Sequence, residues 1–127
     1  MHLTDTLKIS VNGNYLHVSG NRLLNNYPSA LGFTNDICKA IEKKNTPNLI
    51  LIDYSNFISI ITYVDVFNIV RIYDLRMNFC RSIRLSVIVD KDDIDIAKYW
   101  ESLCEKRGFN FKVFLAAAEA EKWLLEG

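Results

Sequence analysis

Apolar and polar residues alternate from Leu7 to Asn12. Leu7, Ile9 and Val11 fall on one side and Lys8, Ser10 and Asn12 on the other, the period of a half-buried strand. Asn12-Gly13 then gives a strong hairpin signal, because the central residues of a tight turn need positive φ. The return strand is Tyr15 to Ser19, with Leu16 and Val18 facing away from Tyr15, His17 and Ser19. The pattern lapses over residues 21–32, where Pro28 and Gly32 predict a loop with at most a turn of helix. Helical spacing resumes at Thr34–Lys44, with Ile37, Ala40 and Ile41 on one face, Thr34 or Asn35 as cap, and Asn45-Thr46-Pro47 as the stop.

Asn48 to Tyr54 predicts a strand whose continuous Leu49–Ile52 run is buried on both faces, as in a parallel sheet covered by helices. A long helix follows over 62–79, then a strand from Ile83 to Val89. A further helix, capped by Asp93 or Asp95, reaches Arg107, with Gly108 as its left-handed terminator. The last elements are a strand from Phe109 to Leu115 and a short helix from Ala117 to Leu125, which docks through Ala120, Trp123 and Leu124. The order β-β-α-β-α-β-α-β-α predicts an α/β fold: a mixed five-stranded sheet covered by helices, with right-handed crossovers and one antiparallel neighbour.

The helix over 62–79 carries two apolar stripes. At about 100° per residue, Val66, Ile69, Val70, Tyr73 and Met77 share the side that should cover the sheet. Ile72, Leu75 and Phe79 fall on nearly the opposite side. A surface helix needs only one buried stripe. The second is scattered exposure, packing under residues 21–33, or an interface with a partner or a second copy.

Length and charge narrow the function classes. The 127 residues predict one domain over 1–127. Fifteen basic and fifteen acidic residues cancel, with no basic cluster, which argues against nucleic-acid binding and against attraction to an anionic membrane. No apolar run approaches the ~20 residues that span a bilayer, so membrane insertion is not expected. Cys38, Cys80 and Cys104 are odd in number and lack a CxxC pair, and they read as buried thiols. With no signal-peptide pattern at the N-terminus, these thiols fit a cytoplasmic protein.

Candidate chemistry is sparse. Asp53 ends a buried strand, where receiver domains place a phosphoaspartate. The first strand, however, ends Val11-Asn12-Gly13 without the carboxylates that would hold Mg²⁺, which favours a turn role for Asp53. His2 and His17 have no metal-ligand spacing. Asp90, Asp92, Asp93 and Asp95 lack the glycine and distal glutamate of an EF-hand loop. The five glycines are isolated and there is no GxSxG elbow. No catalytic residue, metal or cofactor is therefore expected.

The element order, the segment IDYSNF and the C-terminal GFNFKVFLAAAEAEKWL together resemble the SpoIIAA-like branch of the STAS-type domains. The resemblance lies in Asp53-Tyr54-Ser55 after the buried strand, in Val87-Ile88-Val89-Asp90-Lys91, and in Lys112-Val113-Phe114 followed by Glu119-Ala120 and Trp123-Leu124. It implies a small cytosolic regulatory module that works by protein contact. Related anti-sigma-factor antagonists carry a phosphorylatable Asp-Ser-Ser-Gly motif, which falls here at Ile61-Thr62-Tyr63-Val64. Only the Thr62 hydroxyl matches the first serine. A hydroxyl at a helix N-terminus suits a phosphate and equally an N-cap; with the Asp and Gly replaced, the N-cap reading is favoured. Thr62 and Ser59 are the candidate phosphoacceptors. The resemblance to this branch also extends to small lipid-binding domains of the CRAL-TRIO type, which implies a carrier of a small apolar ligand as the alternative.

The expectation is thus a non-catalytic interaction module. Its contact surface is formed by the loop after strand 48–54 and the helix 62–79, with Asp53, Ser55, Thr62, Ile72, Leu75 and Phe79 as the partner-binding candidates.

Overall fold

A computed structural model of the chain describes residues 6–43 and 48–126. The expected helix stop at Asn45-Thr46-Pro47 lies outside the described residues. In chain order the elements are β1 (Thr6–Asn12), β2 (Tyr15–Asn21), β3 (Leu23–Leu24), α1 (Tyr27–Lys43), β4 (Leu49–Asp53), β5 (Ile58–Ser59), α2 (Tyr63–Arg76), β6 (Arg84–Ile88), α3 (Ile94–Lys106), β7 (Asn110–Phe114) and α4 (Ala117–Glu126). Short 3-10 turns, Asn78–Ser82 and Lys91–Asp93, precede β6 and α3.

The main sheet has the order β1-β2-β4-β6-β7. Only the β1–β2 pair is antiparallel. The hairpin turn is centred on Gly13-Asn14, one residue later than expected, since Asn12 pairs with Tyr15. Gly13 supplies the positive φ of 63°. Register explains the core. Leu16, Ile50, Leu85 and Phe111 form one row across four strands, and Val18, Ile52, Val87 and Val113 form the next. All eight are buried and make the floor beneath α1, α2 and α3. The residues between them point the other way, where Leu51 and Ile88 meet Ala120 and Leu124 of α4. This two-faced burial is what the continuous Leu49–Ile52 run requires.

Residues 21–33 depart from expectation. Instead of a loop, α1 begins at Tyr27 and contains both Pro28 and Gly32. Asn26 Oδ1 accepts the Ser29 N–H at 2.9 Å, and Ser29 Oγ accepts the Asn26 N–H at 3.2 Å, a reciprocal cap. Pro28 sits in the first helical turn, where its missing N–H costs no intrahelical bond. Thr34 and Asn35 are consequently inside the helix, not at its start. The other unexpected element is a two-stranded parallel sheet, β3 with β5. It ties the chain before α1 to the loop after β4.

Cys38, Cys80 and Cys104 are buried free thiols. Burial raises all three thiol pKa values, that of Cys80 to about 12. These groups behave as small apolar side chains.

Candidate functional site

The loop after β4 is built by local hydrogen bonds. Asp53 Oδ1 accepts the Ser55 N–H at 2.9 Å and the Ser55 hydroxyl at 2.6 Å. This turn is the role expected of Asp53, and it also occupies Ser55. Phe33, Tyr54 and Phe57 then pack ring against ring, with centroids 4.4–5.4 Å apart. Ile58 donates its N–H to the Arg22 carbonyl at 2.8 Å and Ile60 to that of Leu24 at 2.9 Å, which holds β5 against β3. Anchoring Tyr54 and Phe57 inward leaves Ile58 and Ile60 exposed.

Thr62 is the N-cap of α2. Its Oγ1 accepts the Asp65 N–H at 3.1 Å, and Asp65 Oδ2 accepts the Thr62 N–H at 3.0 Å. The reciprocal pair is a capping box, with Asp65 also placed favourably at the positive end of the helix. Ser59, the other candidate hydroxyl, is half-buried in β5.

The sheet-facing stripe of α2 is as expected: Val66, Ile69, Val70 and Tyr73 are buried, with Met77 beyond the last turn. The outward stripe differs. Helix α2 ends at Arg76, so Phe79 lies in the following 3-10 turn and not on the helix; its side chain is outside the described residues. Ile72 is half-buried and shares a shallow groove with Tyr27 of α1. Leu75 is 86% exposed. Sequence reasoning missed Tyr63, Val64 and Phe67, which are also exposed. Val64 and Phe67 continue the Leu75 stripe towards the N-terminus at i, i+3 and i+11, a signal the 3.6-residue period already contained. Arg71 lies between them, its guanidinium 5.8 Å from the Phe67 ring centre. The strand-end loop and α2 thus present Ile58, Ile60, Tyr63, Val64, Phe67 and Leu75 to solvent.

Beneath the same elements lies an apolar cavity of about 130 Å³, between the sheet floor and helices α1, α2 and α3. Its rim includes Tyr54, Ser59, Ile61 and Asp93, at the C-terminal ends of the parallel strands, where α/β sheets meet ligands. Burial pushes the Tyr54 hydroxyl well above its ordinary range, with Arg22 opposing the shift. Burial, with Asp90 and Asp92 nearby, also raises the Asp93 carboxyl. Among the described residues no cluster of three metal-ligating side chains occurs. No described helix is long and apolar enough to cross a membrane.

No family model and no curated protein sequence matches the chain. Among solved structures it is similar to an uncharacterised protein of the DUF3478 family from Shewanella loihica, described as having a SpoIIAA-like fold. The two share 18% identity over 94% of this chain and 92% of the other, with a TM-score of 0.53. At that identity the likeness shows the fold. The chain has the SpoIIAA-like α/β architecture.

Proposed function

We propose that this chain is a single domain acting as a non-catalytic interaction module of STAS type. The observation that carries this reading is the clustering of six large exposed apolar residues on one continuous stretch, Ile58 to Leu75. Exposed apolar side chains in ones and twos are normal, but six of them along one loop and the helix it leads into favour a docking surface, with Arg71 set between Phe67 and Leu75. In this reading Asp53 and Ser55 aim the loop, and Thr62 sets the start of α2. Phe67 and Leu75 supply apolar contact to a protein partner or a second copy. Phosphorylation of Thr62 would set a phosphate against the Asp65 carboxylate that completes the capping box, a like-charge repulsion, so the hydroxyl serves better as a cap than as a switch.

Sedimentation over a wide concentration range, with Leu75→Asp and Phe67→Asp as comparisons, tests the self-association form. Both variants should keep native circular dichroism and lose association. A chain that stays monomeric at every concentration excludes the second copy as partner. If both variants also retain binding to every partner recovered with the wild type, the surface assignment fails.

The cavity favours a second reading, a carrier of a small apolar ligand. It lies between the sheet and three helices and is lined almost entirely by apolar side chains. Native mass spectrometry after mild purification should then show a retained ligand; a clean mass for the bare chain counts against this reading.

A further inference from the structure

The cavity has features that specify its occupant more closely than its apolar character alone. Its volume of about 130 Å³ is below the roughly 300–1,000 Å³ typical of sites for drug-sized ligands. It is close to the engineered apolar cavity of about 150 Å³ that stays dry and admits benzene. We propose that the cavity is a binding site for a small uncharged molecule of single-ring size, such as an alkylbenzene, and not for a lipid acyl chain. This rests on the carrier reading above.

Three observations support it. First, the polar groups deepest among α1, α2 and α3 already have partners. Trp100 Nε1 donates to the Tyr73 hydroxyl at 3.0 Å, and Thr34 Oγ1 donates to the Ala30 carbonyl at 3.0 Å. Those bonds leave few free polar groups in the inner part of the cavity to reward a polar ligand, which would forfeit its own bonds to water. Second, the wall is aromatic on one side. Trp100 stacks on Phe111 at 5.6 Å with a 16° interplanar angle, and Tyr73 meets Phe111 at 6.4 Å, surfaces that suit a ring edge or face. Third, Asp93 contributes to the rim, with Asp90 and Asp92 close by, so an anionic head group such as a fatty-acid carboxylate meets like charge. Arg22, the cation that acts on Tyr54 at this rim, is itself paired with Asp36 at 2.5 Å, which reduces but does not remove its pull on an anion.

The lid is consistent with entry of a small guest. Helix α3 covers the cavity with half-buried Ile96, Ala97 and Trp100, and only Cys104 on that helix is fully buried. An empty apolar space destabilises in proportion to its volume, so an occupant that fills it stabilises the fold.

The test is thermal unfolding of the full chain with toluene, benzoate and palmitate as separate probes. Toluene at roughly tenfold excess over its Kd should raise the unfolding midpoint by about 5 °C, and benzoate and palmitate should not. Ala97→Leu and the milder Val66→Leu fill the space from two different helices. Each should keep native circular dichroism and weaken toluene binding at least tenfold. A toluene shift unchanged in a folded filling variant overturns the site. Should palmitate stabilise the chain more than toluene, the size class is wrong while the carrier reading stands. If no probe shifts the midpoint, the single-ring site falls; the carrier reading falls with it only if native mass spectrometry also gives the mass of the bare chain.

Discussion

The carboxylate of Glu101, on α3, accepts the backbone N–H of Val113, on β7, at 2.7 Å. Strand β7 is one of the two edges of the main sheet, and this N–H points away from β6. A helix side chain thus supplies the acceptor that a further strand would otherwise provide, one of the ways a sheet edge is kept from pairing with another chain. The bond also pins α3 to the edge, beside the cavity it covers.

Glu101→Ala should therefore cost about 1–3 kcal/mol in urea unfolding, because a hydrogen bond to a charged acceptor is lost and a backbone donor is left uncovered. Glu101→Gln retains an acceptor oxygen and should recover part of that loss. A Glu101→Ala variant as stable as wild type would show that the bond contributes nothing.

Thr62→Ala removes the side-chain half of the capping box on α2 and should cost roughly 1 kcal/mol, within the usual range of 0.5–2. Thr62→Ser should be nearly neutral. Amide exchange would localise the loss to the first turn of α2, at Asp65 and Val66, rather than spreading it over the sheet.

Gly20 has φ +147°, and a Cβ there would stand 2.1 Å from the Thr6 carbonyl oxygen. The clash is with backbone, which cannot rotate away. Gly20→Ala should cost about 3 kcal/mol or more by opening the β1–β2 ladder near Leu7, its partner. Chemical denaturation measures the loss. A variant as stable as wild type would mean that the hairpin end adjusts freely.

Ser86 is fully buried on the α4 side of the sheet, and its hydroxyl has no hydrogen-bond partner. Ser86→Ala should be neutral or stabilising by up to ~1 kcal/mol, since the unpaired hydroxyl is costly to bury and the small volume change is tolerated. A clear loss of stability would reveal a partner for the hydroxyl in solution.

Asp93 carries the pH prediction. Its carboxyl is raised above the ordinary value by burial, then by Asp90 and Asp92. For an acid raised in the fold, the native state holds its proton more tightly than the unfolded chain. This contribution to stability is present below the unfolded pKa and is lost as pH rises through the folded one. Asp93→Asn should remove that decline and leave the chain more stable than wild type at neutral pH. Stability–pH curves for the two proteins should separate on the alkaline side of the carboxylate range; parallel curves would rule the effect out.

Much of the fold was legible from period alone. The Leu49–Ile52 run specified a strand covered on both faces, and the 3.6-residue spacing of Val66, Ile69, Val70 and Tyr73 specified the inner face of α2. Thr62 followed by Asp65 contained the capping box. These features depend on residues within a turn or a few positions of one another, so the local sequence determines them. What failed locally was decided elsewhere. Pro28 and Gly32 read as loop signals, yet Asn26 and Ser29 cap α1 around them and Ala30, Phe33 and Ile37 bury its face against the sheet. Strands β3 and β5 are two residues each, too short to have a period, and they exist only because each pairs with the other more than thirty residues away. The cavity and the Glu101–Val113 edge bond belong to the same class. They depend on how α3 seats over the sheet, a packing of side chains distant in sequence that no single segment encodes. The sequence by itself determined the five strands of the main sheet and the inner face of α2, because those follow from backbone period and solvent. Only the tertiary structure decided where surface was left uncovered and space left unfilled.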